Sequence, residues 1–154
     1  MITDEEKGRI EEMKSRFPRP QAAAIEAMQL LMDERGWLPD EDLSELAGLL
    51  GMSSEELDSV ATFYNQVYRR KPGRHVIFVC DSFACWVMGY EDVMSHLKTR
   101  LGVEIGGTTA DGRFTLLPIV CIGACDRAPA MIVDGELYGN LTPGRIDEIL
   151  ERHP

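Results

Sequence analysis

The sequence lacks the features that direct a chain into or across a membrane. No apolar run approaches the roughly 18 residues that a membrane helix needs. The N-terminal segment, Met1–Glu6, is acidic and lacks the basic-then-apolar order of a signal peptide. With 154 residues, 44% hydrophobic and 27% charged, the chain has the balance of one or two small globular domains. We therefore expect a cytoplasmic protein with no direct membrane insertion.

Positive charge is also scarce. The 16 lysines and arginines are outnumbered by 26 acidic residues, and the net charge is −10. A polyanion does not bind nucleic acid without a localised basic patch, so we expect no nucleic-acid partner. The one basic cluster, Arg69-Arg70-Lys71 with Arg74, is typical of a solvated linker. A docking contact with a partner protein is the alternative.

Motifs for catalysis and for nucleotide binding are missing as well. Gly106-Gly107 is too short for a dinucleotide fingerprint, and no G-x-G-x-x-G occurs. There is no Ser/His/Asp pattern placed for nucleophilic catalysis and no Cys-x-x-Cys redox motif. The histidines, His75, His96 and His153, do not stand beside cysteines as a Rieske centre would require. The chain on its own therefore offers no NAD site, no flavin site and no complete active site.

What the sequence does contain is two close pairs of cysteines. Four residues separate Cys80 from Cys85, three separate Cys121 from Cys125, and 35 lie between the pairs. Close pairs far apart in sequence predict four thiolates that converge on one centre. A [2Fe–2S] cluster takes four Cys thiolates, and structural zinc takes four with similar pair spacings. Two disulfides, which need an oxidising compartment, or four buried apolar side chains are the remaining interpretations.

The residues between the cysteines favour an iron–sulfur cluster over zinc. The loops read Cys80-Asp-Ser-Phe-Ala-Cys85 and Cys121-Ile-Gly-Ala-Cys125, with Asp81 as the only charge between the ligands. Small residues let backbone N–H groups approach cluster sulfides, and such hydrogen bonds help to set the reduction potential. Apolar neighbours are expected to keep water away from the site; they are Phe83, Trp86, Val87 and Ile122.

Residues 1–66 are predicted to be helical, because apolar residues recur there at helical spacing. The segment contains neither Cys nor His, and we expect a small helical bundle that packs on the rest of the chain or on a partner. The signals for helix N-termini are Thr3-x-x-Glu6, Asp40 or Asp42, and Ser53-x-x-Glu56.

The pattern changes to strands after a polar segment, 67–74, in which Pro72-Gly73 is a turn signal. We place the domain boundary here, with a helical domain over residues 1–72 and a second domain over residues 73–154. The predicted elements of the second domain are a strand His75–Cys80, a helix from about Cys85 to Arg100 with Trp86 on its buried face, a strand Phe114–Cys121, a hairpin that turns at Asp134-Gly135, and a last helix with Thr142 as cap and Pro143 at its first position.

The predicted order β–α–β–β–β–α makes the chain an α+β protein with a cysteine loop after each of two strands. A helix between the first two strands predicts a parallel crossover. Parallel neighbouring strands end at the same edge of a sheet. The arrangement therefore predicts that the two cysteine pairs meet.

Three motif blocks surround the cysteines. They read Cys80-Asp-Ser-x-x-Cys85-x-x-x-Gly89-Tyr90, Thr108-Thr109-x-Asp111-Gly112-Arg113-Phe114-Thr115-Leu116, and Cys121-x-Gly123-x-Cys125-Asp126-x-Ala128-Pro129. Together with the cysteine spacings, these blocks resemble the small [2Fe–2S] subunit, known in bacteria as the E subunit, of NADH-quinone oxidoreductase (respiratory complex I). The resemblance covers nearly the whole chain and includes Ala61-Thr62-Phe63-Tyr64 and Leu141-Thr142-Pro143.

The resemblance implies a thioredoxin-like [2Fe–2S] ferredoxin domain after the helical bundle, with one cluster per chain. The implied ligands are Cys80, Cys85, Cys121 and Cys125. It also implies that the cluster exchanges one electron with the flavin of a partner subunit, and that the FMN and NAD sites belong to that partner only. Ala128-Pro129 lies where thioredoxin-like folds often hold a cis-proline.

For the whole assembly, the resemblance implies a proton-translocating NADH:quinone oxidoreductase peripheral to the inner membrane on the cytoplasmic side. It implies two partners, the subunit that binds FMN and NADH and the large iron–sulfur subunit. The N-terminal helical part would pack against the flavin-bearing subunit.

Three other functions fit parts of the sequence. The matching subunit of a soluble NAD-dependent formate dehydrogenase or hydrogenase resembles this chain at the same motifs. A stand-alone thioredoxin-like ferredoxin usually has a longer first cysteine spacing and lacks the helical N-terminal part. A zinc-stabilised interaction module would be colourless and would unfold when a chelator removes the metal.

Overall fold

The computed structural model describes all 154 residues, which divide into two compact units, Met1–Lys71 and Pro72–Pro154. The first unit contains helices only, whereas the second combines a four-stranded sheet with helices. The chain therefore has the mixed helix-and-sheet composition that the sequence predicts. None of the helices has both the length and the hydropathy needed to span a bilayer.

Four α-helices form the N-terminal unit, and their ends follow the local sequence signals. Both predicted capping boxes are present. The Thr3 and Ser53 hydroxyls accept from the backbone N–H groups of Glu6 and Glu56, and the carboxylates of Glu6 and Glu56 accept from the backbone N–H groups of Thr3 and Ser53. The helices are α1 (Asp4–Ser15), α2 (Ala24–Arg35), α3 (Asp40–Leu50) and α4 (Ser54–Phe63), with a 3₁₀ turn over Pro20–Ala23.

The predicted cap of α3 is wrong. The N-cap position is occupied by Pro39, which supplies no side-chain hydrogen bond, and Asp40 is already helical. Asp42 is buried and pairs with the terminal ammonium of Met1 at 2.6 Å and with Arg35 Nε at 2.7 Å. A buried carboxylate needs counter-charges more than a helix end needs a cap. Tertiary contacts therefore decide its role.

A second buried carboxylate, Glu6, completes this charge cluster inside the helical unit. The Arg35 guanidinium bonds both Glu6 oxygens, at 2.9 Å for Nη2 to Oε2, and the Thr3 N–H donates to Oε2 at 2.6 Å. The Arg35 hydrogen bonds chiefly, with a smaller contribution from Thr3, lower the pKa of Glu6 to about 2 against the opposing effect of burial. The cluster lies beside a core made of leucine, isoleucine, methionine and alanine side chains from all four helices.

The basic segment at the end of this unit is only partly the solvated linker that its composition predicts. Arg70 and Lys71 are exposed. Arg69 is not, because it bonds Asp58 at 2.7 Å, Asp40 at 2.6 Å and the carbonyl of Leu38. Arg69 thus ties the end of the segment to two helices, and the linker interpretation is wrong for this residue.

The C-terminal unit is built on a mixed sheet with the strand order β2-β1-β3-β4. The predicted parallel crossover is confirmed, since β1 and β2 pair in parallel while the other neighbours are antiparallel. The strands are β1 (His75–Cys80), β2 (Phe114–Ile119), β3 (Met131–Val133) and β4 (Glu136–Tyr138). The helices are α5 (Phe83–Val87), α6 (Tyr90–Leu101) and α7 (Pro143–Glu151).

Helices α6 and α7 share one apolar core with the sheet. Val93 and Leu97 of α6 and Ile146 of α7 are buried in the same cluster as Ile77 and Leu116 of the central strands. The predicted cap of α7 is confirmed, with the Thr142 hydroxyl accepting from a backbone N–H and Pro143 at the first helical position. The hairpin between β3 and β4 also turns where expected, at Asp134 and Gly135, both of which have positive φ.

The single helix predicted from about Cys85 to Arg100 is wrong. The chain forms a short helix, α5, and a longer one, α6, which are separated at Met88-Gly89, where Gly89 has a φ of 111°. The break turns Trp86 away from the buried face of α6. Trp86 is 57% exposed, contrary to its predicted place in the core.

Replacing Glu6 with glutamine tests the buried charge cluster. The folded-state pKa of about 2 lies below the ordinary 4.5, so protonation favours the unfolded chain. The contribution of Glu6 is complete above pH 4.5 and is lost as the pH falls toward 2. We expect Glu6→Gln to lower the free energy of unfolding at neutral pH by on the order of 3 kcal/mol and to flatten its decline in that acid window.

Urea unfolding followed by circular dichroism across that pH range measures both effects. Glu5→Gln is the matched control, because Glu5 is exposed in the same first turn of α1. Equal acid profiles for the Glu6→Gln protein and the unaltered protein would show that the cluster does not stabilise the fold.

Candidate metal centre

The parallel pairing of β1 with β2 brings the two cysteine loops to one edge of the sheet. Cys80 is the last residue of β1 and lies opposite Ile119, the last residue of β2, two positions before Cys121. The Asp81 N–H donates to the Ile119 carbonyl at 3.0 Å, which extends the pairing into the first loop. The prediction that parallel strands deliver both loops to the same place is confirmed.

The second cysteine of each pair lies in a short helical turn. Cys85 is within α5, whose first turn is closed by a 2.8 Å hydrogen bond from the Trp86 N–H to the Ser82 carbonyl. Cys125 opens a 3₁₀ turn, Cys125–Arg127. In both loops the chain folds back within a few residues, so the second thiol returns toward the first.

The sulfur atoms of Cys121 and Cys125 are 3.8 Å apart. Two ligands on one tetrahedral metal, each at about 2.3 Å, have a separation of about 3.8 Å. Gly123 makes the tight loop between them possible with a φ of 78°, and its N–H donates to Cys121 Sγ at 3.4 Å. The pair is therefore spaced as two ligands of one metal atom.

The thiols of each pair influence the pKa of thiols in the other pair, so the two pairs lie near one another. Burial chiefly raises the pKa of Cys85 to about 11; the hydrogen bond with Cys80 and the nearby thiols of Cys80 and Cys125 add to the rise. The pKa of Cys125 is raised first by its hydrogen bond with Cys121, and also by the charge of Cys121, Cys80 and Asp126. Thiolates crowded in this way repel one another unless a cation lies between them.

One thiol is shifted in the opposite direction. The pKa of Cys121 is lowered, chiefly by the Gly123 N–H and further by hydrogen bonds with Cys125 and the Ser82 side chain. Ser82 comes from the first loop, so this contact also joins the two loops. A lowered pKa favours the thiolate, which is the form of cysteine that binds metals.

The two pairs differ in exposure. Cys80 and Cys85 are each 2% exposed, whereas Cys121 and Cys125 are at the surface. A wall of small side chains covers the buried pair; it consists of Ala124, Ala128 and Ala130, with Ala84 and Ile122 packed against it. A metal centre here would have one protected side and one open side.

Two contributors to the site were missed in the sequence. The Ala130 carbonyl accepts from the Cys80 N–H at 3.1 Å, and a backbone hydrogen bond from Ala130 lowers the pKa of the Cys85 thiol against burial. Ser82 bonds Cys121. Ser82 stands between two predicted ligands, which was a usable signal, but Ala130 has no signal of its own.

The expected cis peptide bond at Ala128-Pro129, just before Ala130, is confirmed.

The predicted apolar shield is wrong for three of its four residues. Phe83 is 79% exposed, and Trp86 and Val87 are exposed as well, whereas Ile122 is half-buried against the alanine wall. The break between α5 and α6 explains the difference, because it leaves α5 without a sheet face to cover. Water is kept from the buried pair by alanines, and the large apolar side chains face outward.

Other potential metal donors do not join the thiols. His75 bonds Asp134, and His96 is half-buried and bonds Asp147 at 3.1 Å. The structure has no group of three or more His, Cys, Asp or Glu side chains placed to hold a single metal ion. The site thus consists of two thiol pairs. Four converging thiols in two pairs, with backbone N–H donors at two sulfurs, fit the donor set of a [2Fe–2S] cluster.

A sheet with one cysteine loop at the end of each of two parallel strands fits the ligand set of a ferredoxin-type domain. The sequence profile of the thioredoxin-like [2Fe-2S] ferredoxin family matches residues 10–153. The chain belongs to this family. Its expected fold, thioredoxin-like with a ferredoxin site, is confirmed at that level.

Curated relatives match almost the whole chain. The E subunit of NADH-quinone oxidoreductase from Pseudomonas aeruginosa is 40% identical over 153 residues, which cover 99% of this chain and 92% of the relative. The protein of the same name in Escherichia coli K12 is 43% identical over 148 residues, 96% of this chain and 89% of the relative.

A solved structure is also similar. A chain of an NAD+-reducing [NiFe]-hydrogenase in its air-oxidised state superimposes with a TM-score of 0.69 and 26% identity over 84% of this chain. The match spans 22% of that hydrogenase chain, so this protein corresponds to about a fifth of it.

Replacing Gly123 with alanine tests the tight loop of the exposed pair. A Cβ at this position meets nothing within 4 Å, so the strain comes from the positive φ alone. We expect Gly123→Ala to lower the free energy of unfolding by about 1–2 kcal/mol and to weaken retention of the metal centre. Loss of visible absorbance in the presence of a chelator measures that retention.

Gly112→Ala is the matched control. Gly112 also has positive φ and open space around it, but it lies in a turn before β2. The Gly112→Ala variant should lower the free energy of unfolding by a similar amount and leave the rate of cluster loss unchanged. Equal rates of cluster loss in the two variants would mean that the Gly123 loop does not hold the centre.

Proposed function

We propose that this chain is the electron-transfer E subunit of an NADH-quinone oxidoreductase and that it carries one [2Fe–2S] cluster. The observation that supports the proposal is the parallel pairing of β1 with β2, which brings the two cysteine loops to one edge of the sheet, in a chain whose curated relatives have that name over nearly their full length. An enzyme activity belongs to the assembled complex. The chain itself supplies a redox centre and a surface that docks it.

Each cysteine loop is proposed to supply the two protein ligands of one iron. Cys80 and Cys85 would hold one iron, and Cys121 and Cys125 the other. When bound, the cluster supplies a site that accepts and returns one electron. The protein contributes the rest: the alanine wall excludes water from the buried pair, and the N–H groups of Gly123 and Ala130 donate to ligand sulfurs.

Charge around the site favours a low reduction potential. Asp81 and Asp126 are exposed beside the ligands, and the chain carries a net charge of −10. Negative charge opposes the addition of an electron, while backbone donors to sulfur ease it, within a range of about −700 to +450 mV for such clusters. Because acidic groups predominate, we expect a value in the lower part of this range.

The flavin and nicotinamide sites are proposed to lie in the partner subunit. No dinucleotide fingerprint occurs in this chain. The partner that binds FMN and NADH would therefore take the hydride and pass single electrons to the cluster. The large iron–sulfur subunit is the second proposed partner, and the complex would lie peripheral to the inner membrane on its cytoplasmic side.

The proposed docking surface for the flavin-bearing subunit is an apolar patch beside the exposed cysteines. It consists of Phe83, Trp86, Val87, Met88 and Val120, all of them exposed. Large apolar side chains grouped at a surface mark an interaction site. Their place next to the thiols means that a partner covering them would also approach the cluster and close its open side.

The helical unit is proposed to be a separate docking domain, with the domains divided at residues 72 and 73. Phe63 is 76% exposed at the end of α4. Its ring packs edge-to-face on the ring of Tyr64, with 5.2 Å between the ring centroids. A rigid aromatic pair of this kind is a typical interface anchor. It lies in the Ala61-Thr62-Phe63-Tyr64 block, which has no role in the metal centre.

A soluble NAD-linked hydrogenase subunit is the second candidate function. The similarity to a chain of an NAD+-reducing [NiFe]-hydrogenase favours it. The identity of 26% in that comparison is lower than the 40–43% shared with the NADH-quinone oxidoreductase relatives. The protein that co-purifies with this chain decides between the two.

Electron paramagnetic resonance on the dithionite-reduced protein tests the redox centre. We expect a rhombic spin-half signal together with two irons and two sulfides per chain. Cys121→Ala should abolish the native signal because one iron loses a ligand. A colourless, silent protein that contains zinc would exclude electron transfer. A full native signal in the Cys121→Ala protein would overturn the ligand assignment.

Trp86→Glu tests the docking surface. A charge in the centre of an apolar interface should weaken binding to the NADH-oxidising subunit about thirtyfold, equivalent to about 2 kcal/mol. The visible spectrum of the cluster should stay unchanged, because Trp86 is exposed and is not a ligand. Leu137→Glu on the edge strand β4 is the control, since Leu137 is exposed outside the patch. Unaltered affinity of the Trp86→Glu protein would remove the patch from the interface.

A further inference from the structure

The exposed cysteine pair has a second chemistry available when no metal is bound. Cys121 and Cys125 are both at the surface, and their sulfurs are 3.8 Å apart. A disulfide bond is about 2.05 Å long. The sulfurs therefore need to approach by roughly 2 Å, which side-chain rotation and adjustment of the small loop can supply.

We propose that the cluster-free chain forms a reversible disulfide between Cys121 and Cys125 when it meets a peroxide. The pair is distinguished from the other two cysteines by access, because Cys80 and Cys85 are buried behind the alanine wall. The loop that joins the pair contains only Ile122, Gly123 and Ala124, so the two thiols stay close whichever of them reacts first.

The chemistry is a two-electron oxidation. The thiolate sulfur of one cysteine attacks hydrogen peroxide, the O–O bond breaks, and a sulfenic acid and one water are formed. The sulfur of the second cysteine then attacks the sulfenic acid sulfur, so the S–S bond forms as the S–O bond breaks. The hydroxide that leaves takes up a proton and becomes a second water. Two thiols and one peroxide thus give one disulfide and two waters. Thiol–disulfide exchange with a dithiol reverses the reaction.

The consequence rests on the proposed function, because it treats these two sulfurs as cluster ligands. A disulfide sulfur is not a thiolate and cannot hold iron. Oxidation would therefore block cluster insertion until a reductant restores both thiols. It would also spare the two sulfurs from irreversible over-oxidation, since a sulfenic acid with a neighbouring thiol condenses instead of reacting further.

Peptide mapping separates the two pairs cleanly. Trypsin cleaves after lysine and arginine, so Cys121 and Cys125 are released together in peptide Phe114–Arg127, and Cys80 and Cys85 in peptide His75–Lys98. The full-length protein is purified with its cluster, and part of it is stripped with a chelator under reducing conditions. Both forms are treated with hydrogen peroxide, alkylated and digested, and circular dichroism checks that the stripped chain is folded.

We expect Phe114–Arg127 from the stripped chain to lose the mass of two hydrogens and to take no alkyl label, while His75–Lys98 takes two labels. The cluster-loaded chain should be protected, and dithiothreitol should restore both labels. In the Cys121→Ser protein the disulfide should be absent, and Cys125 should proceed to sulfinic acid.

Full labelling of Phe114–Arg127, or oxidation of His75–Lys98 at an equal rate, would overturn the proposal. Iron and sulfide uptake by the reduced, stripped chain is measured separately. Uptake without disulfide formation would remove this inference alone and leave the proposed function in place. Disulfide formation without any uptake would remove the electron-transfer function and leave the thiol chemistry standing.

Discussion

The pairing of β1 with β2 is the constraint on which the proposed metal centre depends. Cys80 and Cys121 are 41 positions apart by their numbers in the sequence, yet the register that sets Cys80 opposite Ile119 places the two loops side by side. A shift of one residue in a parallel pair would reverse the faces of the side chains and separate the thiols. The apolar core shared with α6 and α7 fixes this register, because Ile77, Leu116 and Leu97 are buried together.

The difference in exposure between the pairs governs what the site can do. Alanines cover Cys80 and Cys85, while Cys121 and Cys125 face outward beside exposed apolar side chains. Protection on one side limits contact with water, and exposure on the other allows a redox partner to approach. The same openness leaves the outer thiols accessible to oxidants before metal and partner are in place. One geometric asymmetry therefore underlies both the proposed electron transfer and the proposed thiol oxidation.

The helical unit shows how tertiary contacts override local signals. Asp42 has the position and chemistry of a helix cap, but it is buried with Glu6, and Arg35 bonds both carboxylates. Arg69 stands in a run of basic residues, but two aspartates and a carbonyl hold it against the helices. In both cases a charge with a partner elsewhere in the chain takes precedence over its sequence neighbours, because an unpaired buried charge costs far more than a missing cap.

The sequence by itself determined the order of the strands, both capping boxes, the bounds of β1, the turn at Asp134-Gly135 and the resemblance of the cysteine motifs to one family. These follow from local periodicity, from turn chemistry and from motif spacing, all of which are properties of neighbouring residues. Only the tertiary structure decided that Gly89 separates α5 from α6, that Phe83 and Trp86 face outward, and that alanines shield Cys80 and Cys85. The physical reason is that burial depends on what lies opposite a side chain, and residues opposite in space are distant in sequence. Apolar character predicts that a side chain gains free energy by leaving water, but the geometry of the sheet edge determines which side chains find cover.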